Sequence, residues 1–242
     1  MKNKYKVDKK LKRRKIVITS MITVLLISLL FIILLTQTTF FDIKNIYIED
    51  NNVIEDEKII LASGITKGES IFKINKSTIK KNLLNHPYIK DVDIKTKLPD
   101  GMKIKVSERK ETLVYNDSGN YIYIDNEGFI LNNLSKPKNK DIPILESDKR
   151  LNPKKDKYIF NILNLLNNHN KKNYDFKIEK IIKENKNTTL VLSSGINVAL
   201  GGLNDIEYKL GFIEKIVKDL NEKNILAKEI QFNRGKNPIV VR

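Results

Sequence analysis

The chain has 242 residues, 45 of them basic and 29 acidic, for a formal net charge of +16. It contains no Cys and no Trp, which excludes disulfides, thiolate zinc sites, iron–sulfur clusters and a cysteine nucleophile. Its basic residues are 39 Lys and 6 Arg, whereas Arg is the favoured residue for bidentate phosphate and base contacts. Lys, Asn and Ile together make 103 of the 242 residues, as AT-rich coding produces, so the charge alone predicts no nucleic-acid partner.

The charge is uneven. Residues 1–15 carry nine basic side chains and one acid, Asp8, a net +8. From Ile16 to Phe41 there is no charge, and Ile16 to Leu35 is apolar apart from Thr19, Ser20, Thr23 and Ser28. Twenty helical residues at ~1.5 Å each match the ~30 Å hydrocarbon thickness of a bilayer. The sequence therefore predicts a basic tail over 1–15 and a transmembrane helix over 16–39. Lys12, Arg13, Arg14 and Lys15 stand directly before the apolar run, and Phe40, Phe41 and Asp42 follow it. The positive-inside rule places the tail in the cytoplasm and the remainder outside. A cleaved signal peptide has a shorter apolar core and a small-residue cleavage site; this core is too long, and no Ala precedes Ala62. An uncleaved single-pass anchor is expected, with both phenylalanines near the outer interface.

Residues 42–109 read as β-α-α-β-β. Ile46 and Ile48 alternate with polar neighbours. Glu55 to Ser63 is a short helix closed by Gly64, and Ile71 to Ile74 is short and extended. Asn75 or Ser77 caps a helix carrying Ile79, Leu83 and Leu84, which ends at His86-Pro87. Tyr88 to Thr96 and Met102 to Val106 are strands joined by Leu98-Pro99-Asp100-Gly101.

Residues 110–242 read as a mixed β domain with helices. Strands are expected at Leu113 to Asn116, Tyr121 to Asp125 and Phe129 to Leu131, with a loop over 132–150. A helix over Pro153 to Asn168 precedes strands at Ile178 to Lys183, Thr189 to Ser193 and Ile196 to Leu200. Asp205 to Leu220 is the clearest helix, with Ile206, Leu210, Ile213, Val217 and Leu220 on one face. Ile225 to Phe232 and Pro238 to Val241 close the chain as strands. The fold class is α+β.

Several segments resemble the FtsQ/DivIB family of bacterial division proteins, whose first extracytoplasmic module is a POTRA domain. They are Leu84-Asn85-His86-Pro87-Tyr88-Ile89-Lys90-Asp91-Val92, Leu98-Pro99-Asp100, Ile104 to Arg109, Tyr121 to Gly128 and Ile142-Pro143-Ile144-Leu145. The ending, Glu229 to Phe232 and then Asn237 to Arg242, resembles the family's final hairpin. Gly101 stands where the family usually has Thr, Gln231 where it more often has Arg, and Phe232 where Tyr is common. The resemblance implies a non-enzymatic scaffold at the division septum. Its implied partners are the coiled-coil proteins FtsB/DivIC and FtsL, and a septal penicillin-binding protein. Carried over by position, partner contacts fall on Ile230, Phe232, Arg234, Pro238, Ile239, Val240 and Val241.

Catalytic signatures are weak. Four Ser-x-x-Lys pairs occur, Ser70/Lys73, Ser77/Lys80, Ser107/Lys110 and Ser135/Lys138. No Ser-Asp-Asn or Lys-Thr-Gly accompanies them, as a penicillin-binding enzyme would require. Asp91 and Asp93 share a strand face, but Lys90 and Lys95 make that face a solvated charged surface. No catalytic residue, metal ligand or cofactor site is expected. The alternatives are a POTRA-type secretion or chaperone protein and an accessory subunit of a wall enzyme.

Overall fold

The computed structural model describes residues 2–137, 141–232 and 237–242. The chain divides into two compact units, Met1–Glu108 and Arg109–Arg242.

The first unit opens with α1 (Lys2–Gln37). Its stretch Lys12–Ile33 is long and apolar enough to cross a membrane. Hydroxyls within it bond back to the helix: Thr19 donates to the Lys15 carbonyl at 2.8 Å, Thr23 to Thr19 at 2.9 Å and Ser28 to Leu25 at 2.9 Å. Such back-bonding lets a helix carry these three hydroxyls at little cost in an apolar setting. A single 3-10 turn, Thr39–Phe41, follows.

Then come β1 (Asn45–Glu49), α2 (Asp56–Ser63), α3 (Lys76–Leu84), β2 (Ile89–Lys97) and β3 (Gly101–Glu108). This is the expected β-α-α-β-β order. The sheet order is β1-β3-β2, with β1 parallel and β2 antiparallel to β3. Ile59 of α2 and Ile79 and Leu83 of α3 pack on Met102, Ile104 and Val106 of β3 in one core. Gly64 ends α2 at φ 73°, the left-handed conformation that Gly adopts without strain. Asn75 caps α3, accepting from the amides of Ser77 and Thr78. The Glu108 carboxylate accepts the amides of Asn52, Val53 and Ile54, each at 2.9 Å. It thus holds the β1–α2 turn from a partner 54 or more residues away in sequence. The segment expected to be extended at Ile71 to Ile74 is instead a turn, closed by Lys73 N–H donating to the Ser70 carbonyl at 3.0 Å. Among the described residues it meets only an isolated antiparallel bridge, Asp42 with Ser70, and no full strand to hold it extended.

The second unit holds β4 (Glu111–Asp117), β5 (Asn120–Asp125), β6 (Ile130–Leu134) and β7 (Ile144–Ser147). After α4 (Lys157–Lys172) come β8 (Ile178–Glu184), β9 (Asn187–Leu192) and β10 (Asn197–Gly201). After α5 (Ile206–Glu222) come β11 (Glu229–Gln231) and β12 (Ile239–Val241). Nine strands make one mixed sheet, ordered β12-β11-β10-β9-β8-β7-β4-β5-β6. Ile159, Ile162 and Leu166 of α4 and Leu210, Ile213 and Val217 of α5 share one core with Leu145, Ile181, Leu190 and Val198 of the sheet.

Four sequence expectations change here. The loop expected over 132–150 contains the end of β6 and the whole of β7, which lies between β4 and β8 and is parallel to both. A four-residue strand after Pro143 has too little periodicity to announce itself; burial of Leu145 between two neighbours holds it. Helix α4 starts at Lys157, because the Asp156 carboxylate caps it through the Tyr158 amide. It runs on to Lys172, so His169 lies within it. Of the expected strand 225–232 only Glu229–Gln231 is strand, with backbone bonds from Lys228 and Phe232 at its ends.

Tyr158 ties α4 to β9: its hydroxyl and that of the buried Thr188 lie 2.9 Å apart. Burial pushes the Tyr158 phenol up to about 12. A raised pKa means that the fold prefers the neutral phenol. That preference is fully present below the ordinary tyrosine value near 10 and is lost as pH rises through about 12. Tyr158→Phe is expected to cost about 1 kcal/mol at neutral pH. It is also expected to flatten the alkaline fall in stability, which denaturant titrations at stepped pH will resolve.

Candidate functional site

The last strand is the most distinctive surface. β12 pairs antiparallel with β11, Glu229 opposite Val241, Ile230 opposite Val240 and Gln231 opposite Ile239. β11 in turn pairs parallel with β10, and Phe232 N–H extends that ladder by donating to the Ala199 carbonyl at 2.8 Å. β12 ends the sheet. Its outward backbone groups therefore meet no further strand among the described residues. Such an edge is a template for an incoming strand.

The side chains are apolar and open to solvent. Ile239, Val240 and Val241 are 47, 37 and 38% exposed. Three adjacent exposed β-branched residues on an edge strand are what proteins ordinarily avoid unless the edge is covered. Beside the strand, α5 forms one wall of a groove of about 390 Å³, lined by Phe212, Ile216, Leu220, Ile225 and Val240, with Arg242 at its end. Lys215 and Asp219 add charge to it. Phe212 and Ile216 were not singled out from the sequence. Their i, i+4 spacing beside the buried stripe of α5 was the signal available.

The expected contact residues separate here. Ile230 is fully buried in the core of the unit. Period two turns its side chain inward, away from the open edge. Phe232 is half-buried against the same core. Pro238 is half-buried, and Ile239, Val240 and Val241 form the exposed strand. Arg234 lies outside the described residues. Lys12, Arg13, Arg14 and Lys15 are exposed on α1, at the start of the stretch Lys12–Ile33 and just before the uncharged run from Ile16.

At the other side of the unit, the run Asp125-Asn126-Glu127-Gly128 forms a tight corner. The buried Asp125 carboxylate accepts from the amides of Glu127 at 2.9 Å and Phe129 at 2.8 Å, and from the Arg109 guanidinium at 2.6 Å. Arg109 also reaches Glu127 at 3.0 Å and stacks 4.3 Å over the Phe129 ring. Gly128 sits at φ 87°, and a Cβ there would fall 2.8 Å from the Phe160 ring. The corner is structural.

The titratable groups that could suggest chemistry are occupied. Asp91 pairs with Lys80 at 2.7 Å and Asp93 with Lys95 at 2.7 Å. Those lysines hold both carboxyls below the usual aspartate range. The His169 ring lies 2.7 Å from the Phe176 carbonyl and edge-on to the Phe176 ring. His86 accepts the Tyr88 amide at 3.3 Å. Among the described residues, no three His, Asp or Glu side chains are grouped to hold a metal ion.

Residues 41–109 match the family model for the POTRA domain, FtsQ-type, and residues 112–232 the model for the cell division protein FtsQ/DivIB, C-terminal. Cell division protein DivIB of Clostridium tetani is 30% identical over 196 residues, covering 78% of this chain and 74% of that protein. The chain belongs to the FtsQ/DivIB family of cell division proteins. Another DivIB, from Clostridium botulinum strain Hall, is 30% identical over 97% of this chain and 93% of its own length. FtsQ of Geotalea daltonii is 24% identical over 86% of this chain and 78% of its own. Among solved structures, the major extracytoplasmic domain of DivIB from Geobacillus stearothermophilus aligns at a TM-score of 0.34 and 13% identity, over 48% of this chain and 97% of that one. The FtsQ/DivIB C-terminal match stops at Phe232, so β12 lies beyond the stretch that defines the family here.

Proposed function

We propose that this FtsQ/DivIB-family chain is a non-enzymatic scaffold of the division machinery. α1 anchors it in the cell membrane, with the basic tail in the cytoplasm and both folded units outside. The β12 edge takes a strand from the coiled-coil partners, an FtsB/DivIC-like and an FtsL-like protein. A septal penicillin-binding protein is a further partner in the same assembly.

The observation that carries this reading is the apolar, unpaired edge of β12. Strand addition draws affinity from main-chain hydrogen bonds and specificity from the alternating side chains. The groove along α5 offers an apolar seat for the partner residues that flank the added strand. The anchor supplies the second requirement of a scaffold, since it confines the chain and its partners to one surface.

A fluorescent protein fused to the N-terminus tests the role in living cells. A band at the division septum is the expected image. Uniform envelope fluorescence from a functional fusion would contradict the scaffold reading.

A further inference from the structure

Resting on the reading of α1 as a membrane span, we propose that the anchor-proximal end of the first unit is itself a lipid-contact surface. Phe72 and Leu98 enter the outer polar layer of the bilayer beside Phe40. The surface is assembled from three separate segments. Phe40 belongs to the 3-10 turn after α1. Phe72 lies in the turn between α2 and α3, and Leu98 in the turn between β2 and β3.

Backbone hydrogen bonds bring these segments together. Ile71 N–H donates to the Phe41 carbonyl at 2.9 Å, Ile43 N–H to Glu69 at 2.9 Å and Gly68 N–H to Ile43 at 3.0 Å. The β2–β3 turn is held the same way: Lys44 and Asn45 N–H both donate to the Asp100 carbonyl, at 2.9 and 3.2 Å. The rings of Phe40 and Phe41 meet edge to face at 5.0 Å, and Phe41 and Phe72 do so at 5.0 Å.

Chain length fixes where this end lies. The apolar run ends at Leu35 and α1 at Gln37, and Thr39–Phe41 is a compact turn. At ~1.5 Å per α-helical residue, ~3.3 Å for the extended Thr38 and ~2 Å per 3-10 residue, Phe40 stands within about 10 Å of the hydrocarbon edge and Phe41 within about 12 Å. The polar layer of each leaflet is itself ~5–8 Å deep. The Phe72 ring centroid is 5.0 Å from that of Phe41, which keeps its depth within that distance of Phe41's.

The exposure of these side chains then has a reason. Phe40, Phe72 and Leu98 are 55, 57 and 62% exposed. Single exposed apolar residues are ordinary, but these three gather at the end tethered to the span. Lys67, Lys73 and Lys97 flank them and are exposed. Long amines beside aromatic rings suit the interface, where the stem lies in the apolar layer and the head stays in water. Three contacts from three turns would fix the tilt of the unit on the membrane, where a single tether would let it swing.

The absence of Trp makes the test clean. The full-length protein, reconstituted in phosphatidylcholine vesicles, would carry one Trp at a time: Phe72→Trp, Leu98→Trp, Val53→Trp or Val24→Trp. Val53 is equally open, at 63%, but sits at the opposite end of the sheet beside Glu108. It therefore controls for the affinity of Trp itself for membranes. Val24 reports on the span. The expected result is blue-shifted emission from F72W and L98W, with quenching by nitroxide lipids labelled near the headgroup. V53W should stay water-like and unquenched. If F72W and L98W behave like V53W while deep-labelled lipid quenches V24W, the proposal fails and the span stands. If V24W is unquenched, the span reading fails and takes the proposal with it.

Discussion

Val240→Pro is expected to weaken binding of the DivIC-like and FtsL-like partners by at least about tenfold while leaving the fold intact. Lys228 N–H donates to the Val241 carbonyl at 2.9 Å, so the peptide groups of Val241 face β11. Peptide groups alternate in direction along a strand, and those of Val240 therefore face the open edge. Proline removes that one outward donor and puts a ring where an incoming strand must lie. It takes nothing from the β11 pairing, and edge strands accept Pro where the missing N–H would face solvent. One lost hydrogen bond costs about 1 kcal/mol. Displacement of the incoming backbone adds to it, and ~1.4 kcal/mol is tenfold in affinity. Val240→Thr keeps the amide and the branched stem and should bind like the parent. Titration calorimetry on the full-length protein in detergent checks both variants.

Asp125→Ala is expected to destabilise the second unit by about 3 kcal/mol or more, within the range for breaking a buried pair from one side. The side chain is 1% exposed and its two oxygens serve three donors, two of them backbone amides. Removing it orphans the amides of Glu127 and Phe129 and leaves the Arg109 guanidinium with Glu127 as its one carboxylate, beside the Phe129 ring. Arg109 already has one buried nitrogen, Nε, without a hydrogen-bond partner, so it has little capacity to compensate. Asp125→Asn keeps an acceptor for the amides and loses only the charge, and should recover part of the difference. Denaturant unfolding of the full-length protein, followed through the transition of the second unit, measures both.

The family motifs contain residues whose reason was invisible in one dimension. Glu108 and Arg109 adjoin in sequence, yet Glu108 holds three amides of the β1–α2 turn and Arg109 holds the Asp125 corner. Neither partner lies within ten residues, and no local pattern announces them. What periodicity could reach, it reached. The α5 stripe of Leu210, Ile213, Val217 and Leu220 is buried as its spacing demands. The α3 cap falls on Asn75, one of two residues able to serve. β7 was missed because a short strand flanked on both sides depends on its neighbours more than on its own alternation. In the candidate site, the terminal strand was legible from Pro238 to Val241. That a chain closing on short strands offers a sheet edge was legible too; which strand ends the sheet is decided by strand order. The same order sent Ile230 into the core and brought Phe212 and Ile216 of α5 alongside β12.

A partner strand is expected to complete the sheet at β12. Hydrogen exchange on the full-length protein in detergent, with and without the DivIC-like and FtsL-like pair, tests it most directly. The Val240 amide faces the open edge and should exchange freely in the unbound protein. Strong slowing at Val240 and Arg242 is expected when the partners bind. Unchanged exchange there, in a complex shown to form, would contradict it and move the contact to another surface of the chain.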